Sequence, residues 1–212
     1  MNRSPSFDLA ARRLYLCTGV REDLARFVSE TLQGGVDVIQ LREKHADART
    51  IIHHAKEIKQ IAHDFNVPFF INDRPDIALE VGADGVHVGQ DDVDVDLVRR
   101  IIPGALVGLS THDPGELQGS LLKDVDYISA GPISATPTKP GRAGTGIGYA
   151  EQASLISPRP VFVTGGVQPG SIRELVARGI RHFVVVRYLT EASDPRLAAK
   201  MLRTAIDEAL AS

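Results

Sequence analysis

The chain has one cysteine, Cys17, among 212 residues. A lone thiol cannot close an internal disulfide, so a reducing compartment is expected. An excess of either charge is also lacking: 24 lysines and arginines face 27 aspartates and glutamates, a formal net charge of −3. That mild acidity argues against general nucleic-acid binding, which normally shows a basic face. No apolar run approaches the ~20 residues of a membrane span. The first residues, MNRSPSFDLAARRLYLC, hold no apolar core of signal-peptide length. A cytoplasmic protein without membrane or nucleic-acid partners is the expectation; a homo-oligomer is left open. Three chemical signatures are missing too. CTGVRED, after the first expected strand, is not a dinucleotide-binding glycine fingerprint. No histidine pair has zinc-ligand spacing. No Ser-His-Asp order supports acyl transfer.

What is present is a rhythm. Short β-branched runs recur at 13–17, 36–41, 68–72, 84–88, 106–110, 126–130, 161–165 and 182–186. Near-continuous apolar strands suit a parallel sheet covered on its outer face. Helical patterns separate them. Ile51, Ala55, Ile58, Ala62 and Phe65 recur at helical spacing, as do Leu197, Met201, Ala205 and Leu210. Asp113 to Glu116 and Ser171 to Glu174 read as capping boxes, Pro75 and Pro114 as first-turn prolines, and Gly179 as a helix stop. The length allows one sizeable core. Eight βα units within it predict a single (β/α)8 TIM barrel over residues 1 to 212; a doubly wound open sheet is the alternative.

In such a barrel the active site lies at the carboxyl ends of the strands. The polar residues there are Gln40, Arg42, Glu43 and Lys44, then Asn72 and Asp73, then His87, Gln90, Asp91 and Asp92, then Ser110 and His112, then Gly165-Gly166, then Arg187. Cations, acids and pliable backbone in one mouth suit a phosphorylated substrate with a divalent metal. Asp73 and Asp92 precede helices, so each fits a simple helix cap. Together, beside Arg42 and Lys44, they fit a magnesium-diphosphate site, since Mg²⁺ is usually held by one or two carboxylates plus phosphate oxygens. The Gly pair fits a tight turn or a phosphate cradle.

One connection stands apart. GPISATPTKPGRAGTGIG, residues 131–148, is polar and glycine-rich, and far exceeds the ~2–6 residues of an ordinary βα loop. It leaves the sixth strand at the rim of the expected site. Thr136, Thr138 and Lys139 can meet phosphate oxygens, and a lid over 132–146 is expected; a surface excursion is the plainer alternative.

The motifs IQLREK (39–44), INDR (71–74), GADGVHVGQDD (82–92), GLSTH (108–112), GPISATPTK (131–139) and GGV (165–167) occur in this order. Together they resemble those of the thiamine phosphate synthases, over nearly the whole chain. The resemblance implies condensation of hydroxymethylpyrimidine diphosphate with hydroxyethylthiazole phosphate, with Mg²⁺. By motif, Gln40, Leu41, Arg42, Glu43 and Lys44 would hold the pyrimidine diphosphate, joined by Asn72, Ser110 and Lys139. Asp73 and Asp92 would bind Mg²⁺. Arg42, Lys44 and Lys139 would neutralise the leaving diphosphate. Thr136, Pro137 and Thr138 would approach the thiazole phosphate, which Gly166, Val186 and Arg187 would cradle. Arg187 departs from a serine in the family pattern, and Ser134-Ala135 from an aromatic and a proline. There are two rivals: the related thiazole tautomerase, which shares the barrel and the thiazole phosphate pocket but needs no diphosphate apparatus, and, from another class, a non-catalytic thiamine phosphate sensor, which would tolerate loss of the metal carboxylates. Retention of Arg42, Lys44, Asp73, Asp92 and Lys139 favours the synthase.

Overall fold

A computed structural model describes residues 7–135 and 143–212 of the chain. Eight parallel strands close into a barrel in sequence order, with β8 pairing back onto β1. They are β1 (Leu14–Thr18), β2 (Val38–Leu41), β3 (Phe69–Asn72), β4 (Gly85–Val88), β5 (Leu106–Thr111), β6 (Tyr127–Ala130), β7 (Val161–Val163) and β8 (His182–Val185). Each falls on one of the eight β-branched runs, which bears out the expected (β/α)8 barrel. Helices α1 (Leu24–Gln33), α2 (Ala48–Asp64), α3 (Pro75–Val81), α4 (Val95–Ile101), α5 (Pro114–Leu121), α6 (Ile147–Ile156) and α7 (Pro169–Ala177) separate the strands; α8 (Arg187–Thr190) and α9 (Pro195–Ala211) follow β8.

Strand alternation divides the apolar residues between two cores. Leu16, Ile39, Ile71, Val86, Leu109 and Ile128 point outward and are buried against the helices. Tyr15, Val38, Phe70, Tyr127 and Phe162 form a second cluster, joined by Leu9 from a short 3-10 helix ahead of β1. Both faces of each strand are therefore apolar over most of their length, which is why the runs look continuous. Two strand glycines make room for the inner rings. A Cβ on Gly85 would meet Phe70 at 2.3 Å, and one on Gly108 would meet Tyr127 at 2.1 Å.

The helix signals hold in most places. Pro75 and Pro114 open α3 and α5, and Asp113 accepts from the amides of Gly115 and Glu116. Gly179, at φ +83°, ends the turn after α7. Three expectations need correction. Helix α7 begins at Pro169, so Ser171 lies in its first turn, where its Oγ accepts from the amide of Gln168 at 3.1 Å. The proline two residues earlier starts the helix before the serine can cap it. Phe65 is the residue that ends α2 and stands 40% exposed, while Ile51, Ala55, Ile58 and Ala62 are buried as expected. In α9 the buried face is Ala198, Ala199, Leu202 and Ile206, whereas Leu197 and Met201 are 53% and 48% exposed. The small residues win because α1 approaches closely: a Cβ on Gly34 would lie 2.6 Å from that of Ala199.

No helix among the described residues is long and apolar enough to cross a membrane.

Candidate active site

The last inward position of each of several strands is polar. Gln40, Asn72, His87, Ser110 and Ser129 are all buried. Register places Cys17 opposite Gln40, Asn72 opposite His87, and Ser110 opposite Ser129. These residues floor a cavity of about 560 Å³ at the carboxyl ends of the strands. Arg42, Gly165, Gly166, Val186 and Arg187 line its walls.

Beneath the floor runs a buried chain of hydrogen bonds. The Gln40 amide donates through Nε2 to the Tyr15 hydroxyl at 2.8 Å, and its Oε1 accepts from the Cys17 thiol at 3.3 Å. The Tyr15 and Tyr127 hydroxyls lie 2.8 Å apart. Tyr127 meets His87 Nδ1 at 2.8 Å, and His87 Nε2 meets Ser110 Oγ at 2.9 Å. Burial pushes both phenols well above their ordinary range, so both stay neutral. Gln90 reaches over from the β4 loop, and its Nε2 donates to the Ser110 carbonyl at 2.6 Å. Cys17 is buried, as a small core residue would be, but it also touches this chain. Tyr15 and Tyr127 escaped sequence reading. An inward aromatic in an apolar strand looks like core, and only its hydroxyl hints at a polar floor.

On one rim, loops after β2, β3 and β4 bring Lys44, Asp73 and Asp92 together. Lys44 Nζ lies 3.0 Å from Asp73 Oδ2. Burial raises the Asp73 carboxyl above its ordinary range; the adjacent Asp92 carboxylate adds to the rise and Lys44 opposes it. Neither acid is a helix cap. Arg74 precedes α3 and Asp94 caps α4, while Asp92 Oδ2 accepts from the Gly89 amide at 2.9 Å. Asp73 holds a left-handed φ of +59°, and its amide donates to the His87 carbonyl at 2.8 Å. The donor set is a pair of carboxylates. No group of three or more metal-ligating side chains occurs among the described residues. Two hard oxygen donors beside a cation fit Mg²⁺ shared with phosphate.

Other expected residues divide. Leu41 is buried in the outer core, its side chain turned toward the helices, and only its backbone is near the mouth. Glu43 accepts from the amides of Val20 and His45, which help hold its carboxyl below the usual range although partial burial opposes them; it braces the loops after β1 and β2. His112 pairs with Glu116 at 2.7 Å at the start of α5, away from the His87 chain. Thr136, Pro137, Thr138 and Lys139 lie outside the described residues.

On the opposite rim, Gly165 and Gly166 have φ of +96° and +80°. Gly165 packs on Pro132 so tightly that a Cβ would lie 2.5 Å from the proline's own. The feet of the long connection are tied together: the amides of Thr145 and Gly146 donate to the carbonyls of Pro132 and Ile133 at 2.8 and 3.1 Å. Arg187 opens α8 beside them with an exposed side chain.

The sequence profile described as thiamine monophosphate synthase matches residues 14–189. The chain belongs to that family. As a member, it is a transferase of thiamine biosynthesis. A thiamine-phosphate synthase of Mycobacterium tuberculosis is 41% identical over 216 residues, covering 95% of this chain and 97% of the relative. One from Deinococcus radiodurans is 41% identical over 87% of this chain and 68% of its own length. Among solved structures, a thiamine phosphate pyrophosphorylase from Pyrococcus furiosus superposes with a TM-score of 0.86 at 30% identity, covering 93% of this chain and 96% of that one.

Proposed function

We propose that the cavity joins hydroxymethylpyrimidine diphosphate to hydroxyethylthiazole phosphate, releasing thiamine phosphate and diphosphate. The observation that carries this reading is the pairing of Asp73 and Asp92 beside Lys44, close in the chain to the cavity residues Asn72 and Arg42, while the Gly165-Gly166 turn and Arg187 line the 560 Å³ cavity from the ends of β7 and β8. The two rims then serve two anions, a diphosphate at the carboxylate pair and a monophosphate at the glycines.

Asp73 and Asp92 would hold Mg²⁺, which when bound supplies charge neutralisation for a diphosphate. Arg42 and Lys44 add cations to the same leaving group. Lys139, Thr136, Pro137 and Thr138, carried over from the family pattern, are assigned to the lid that completes both phosphate sites. Gln40, Asn72 and Ser110 hold the pyrimidine. The carbon–oxygen bond to diphosphate breaks with both electrons leaving on oxygen. The electron-rich aminopyrimidine carries the resulting benzylic-type cation, and the thiazole nitrogen attacks it to form the carbon–nitrogen bond. No side-chain nucleophile is needed. The residues position the partners, stabilise the leaving group and exclude water.

Mixing both substrates with Mg²⁺ tests the proposal. Thiamine phosphate and diphosphate should appear in equal amounts, and chelation should stop them. Turnover unaffected by chelation would remove the metal, and no thiamine phosphate at all would remove the reaction.

A further inference from the structure

The buried chain under the cavity has a direction, and we infer that it makes Tyr15, Tyr127 and His87 positioning residues that aim the Ser110 hydroxyl proton at the pyrimidine. The direction starts at Gln40. Its Nε2 can only donate, so the Tyr15 oxygen is an acceptor there, at 2.8 Å. Either hydroxyl can donate across the 2.8 Å Tyr15–Tyr127 contact; with the Gln40 amide already on the Tyr15 oxygen, the inferred direction has Tyr15 donate and Tyr127 accept. Tyr127 in turn gives its proton to His87 Nδ1 at 2.8 Å. A neutral imidazole that accepts at Nδ1 carries its proton on Nε2. That proton goes to Ser110 Oγ at 2.9 Å. Ser110 has accepted and still holds its own proton, which faces the cavity it lines. The site therefore offers a hydroxyl donor to an acceptor such as a ring nitrogen.

The chain is open, with Gln40 at one end and Ser110 at the other. Gln40 and Ser110 both line the cavity, and the two tyrosines and the histidine join them from below. Turning the Gln40 amide over would reverse every bond, place the histidine proton on Nδ1, and leave Ser110 presenting only lone pairs. The amide's orientation, with Oε1 toward the Cys17 thiol at 3.3 Å, thus sets what Ser110 offers at the far end of the chain. The substrate part of this inference rests on the pyrimidine lying over Ser110, as proposed above; the direction of the chain does not.

Long-range ¹H–¹⁵N spectra of the ligand-free protein, with the His87 signal assigned by its loss in His87→Gln, read the tautomer directly. The expected result is a bare Nδ1 and a protonated Nε2. In Tyr127→Phe, which removes the donor to Nδ1, the signal should move to a mixture of tautomers. KM for the pyrimidine diphosphate should rise about three- to tenfold, the loss of one neutral hydrogen bond, with KM for the thiazole phosphate unchanged. Tyr15→Phe breaks the chain one step earlier and serves if Tyr127→Phe does not fold. A protonated Nδ1 in the parent protein overturns the inference. So does an unchanged pyrimidine KM in both folded variants. Failure of the parent reaction shows separately, as no thiamine phosphate from the unmodified protein.

Discussion

Asp73→Asn separates a metal-binding carboxylate from a structural one. The substitution keeps shape, and asparagine tolerates the left-handed φ of +59° as readily as aspartate does. In the free protein it should change little. The Lys44 partner is 45% exposed, so the ion pair at 3.0 Å is worth under ~1 kcal/mol. Removing the like charge beside Asp92 offsets part of that loss. A melting temperature within ~4 °C of the parent follows. Binding of the pyrimidine diphosphate in Mg²⁺ should suffer far more. A lost contact to a charged group is worth ~1.5–3 kcal/mol, or roughly ten- to 150-fold in affinity. Calorimetric titration of pyrimidine diphosphate over a Mg²⁺ series, beside a thermal melt, reads both quantities. Thiazole phosphate affinity is the internal control, since its phosphate is assigned to the far rim. A variant that melts much earlier yet keeps parental affinity and Mg²⁺ dependence would refute the reasoning and return Asp73 to a structural role.

Arg187→Ser should weaken thiazole phosphate binding roughly tenfold or more, the scale of one charge-assisted hydrogen bond, and leave the pyrimidine diphosphate untouched; separate titrations of each substrate decide it, and an unchanged affinity leaves only the backbone as ligand. Gly108→Ala should destabilise by ~3–5 kcal/mol, since its Cβ would lie 2.1 Å from the Tyr127 ring and force it off His87. Gly119→Ala, with open space around it in α5, should be neutral or stabilising; urea titrations of the two glycine variants beside the parent check both. His182 is held near pKa 4, chiefly by burial, against an ordinary 6.5. The unfolded chain therefore binds the extra proton first, and stability present above pH 6.5 should be lost as pH falls toward 4, by on the order of 3 kcal/mol; His182→Gln should flatten that slope in denaturant titrations across the window.

The strands were legible because each is apolar on both faces, and the mouth because polar residues interrupt those runs only at their carboxyl ends. Gln40, Asn72, His87 and Ser110 show this directly: each is the last or next-to-last strand residue before a loop. Asp73 and Asp92 could not be told from caps in one dimension, since both precede helices; only the chain path shows that Arg74 and Asp94 hold the cap positions. The choice of face in α9 was hidden for a different reason. Leu197 and Met201 form an apolar stripe, but so do Ala198, Ala199, Leu202 and Ile206, and close approach to Gly34 favours the alanines. The displaced stripe is not wasted on solvent alone, because Leu197 and Met201 border the outer part of the cavity.

The floor chain and the inner aromatic layer are one construction. Gly85 and His87 are successive inward positions of β4, and Gly108 and Ser110 are successive inward positions of β5. Each glycine clears space for a ring, Phe70 or Tyr127, directly beneath the polar residue two places on. Tyr127 needs that space to bring its hydroxyl within 2.8 Å of both Tyr15 and His87. Packing around the ring therefore fixes the hydrogen bonds, and the hydrogen bonds leave its buried oxygen satisfied. An unpaired hydroxyl at that depth would cost about 1–3 kcal/mol. Glycine, aromatic ring and polar floor thus constrain one another. Substitution at any of the three should register in the other two, and through Ser110 in the hold on the pyrimidine.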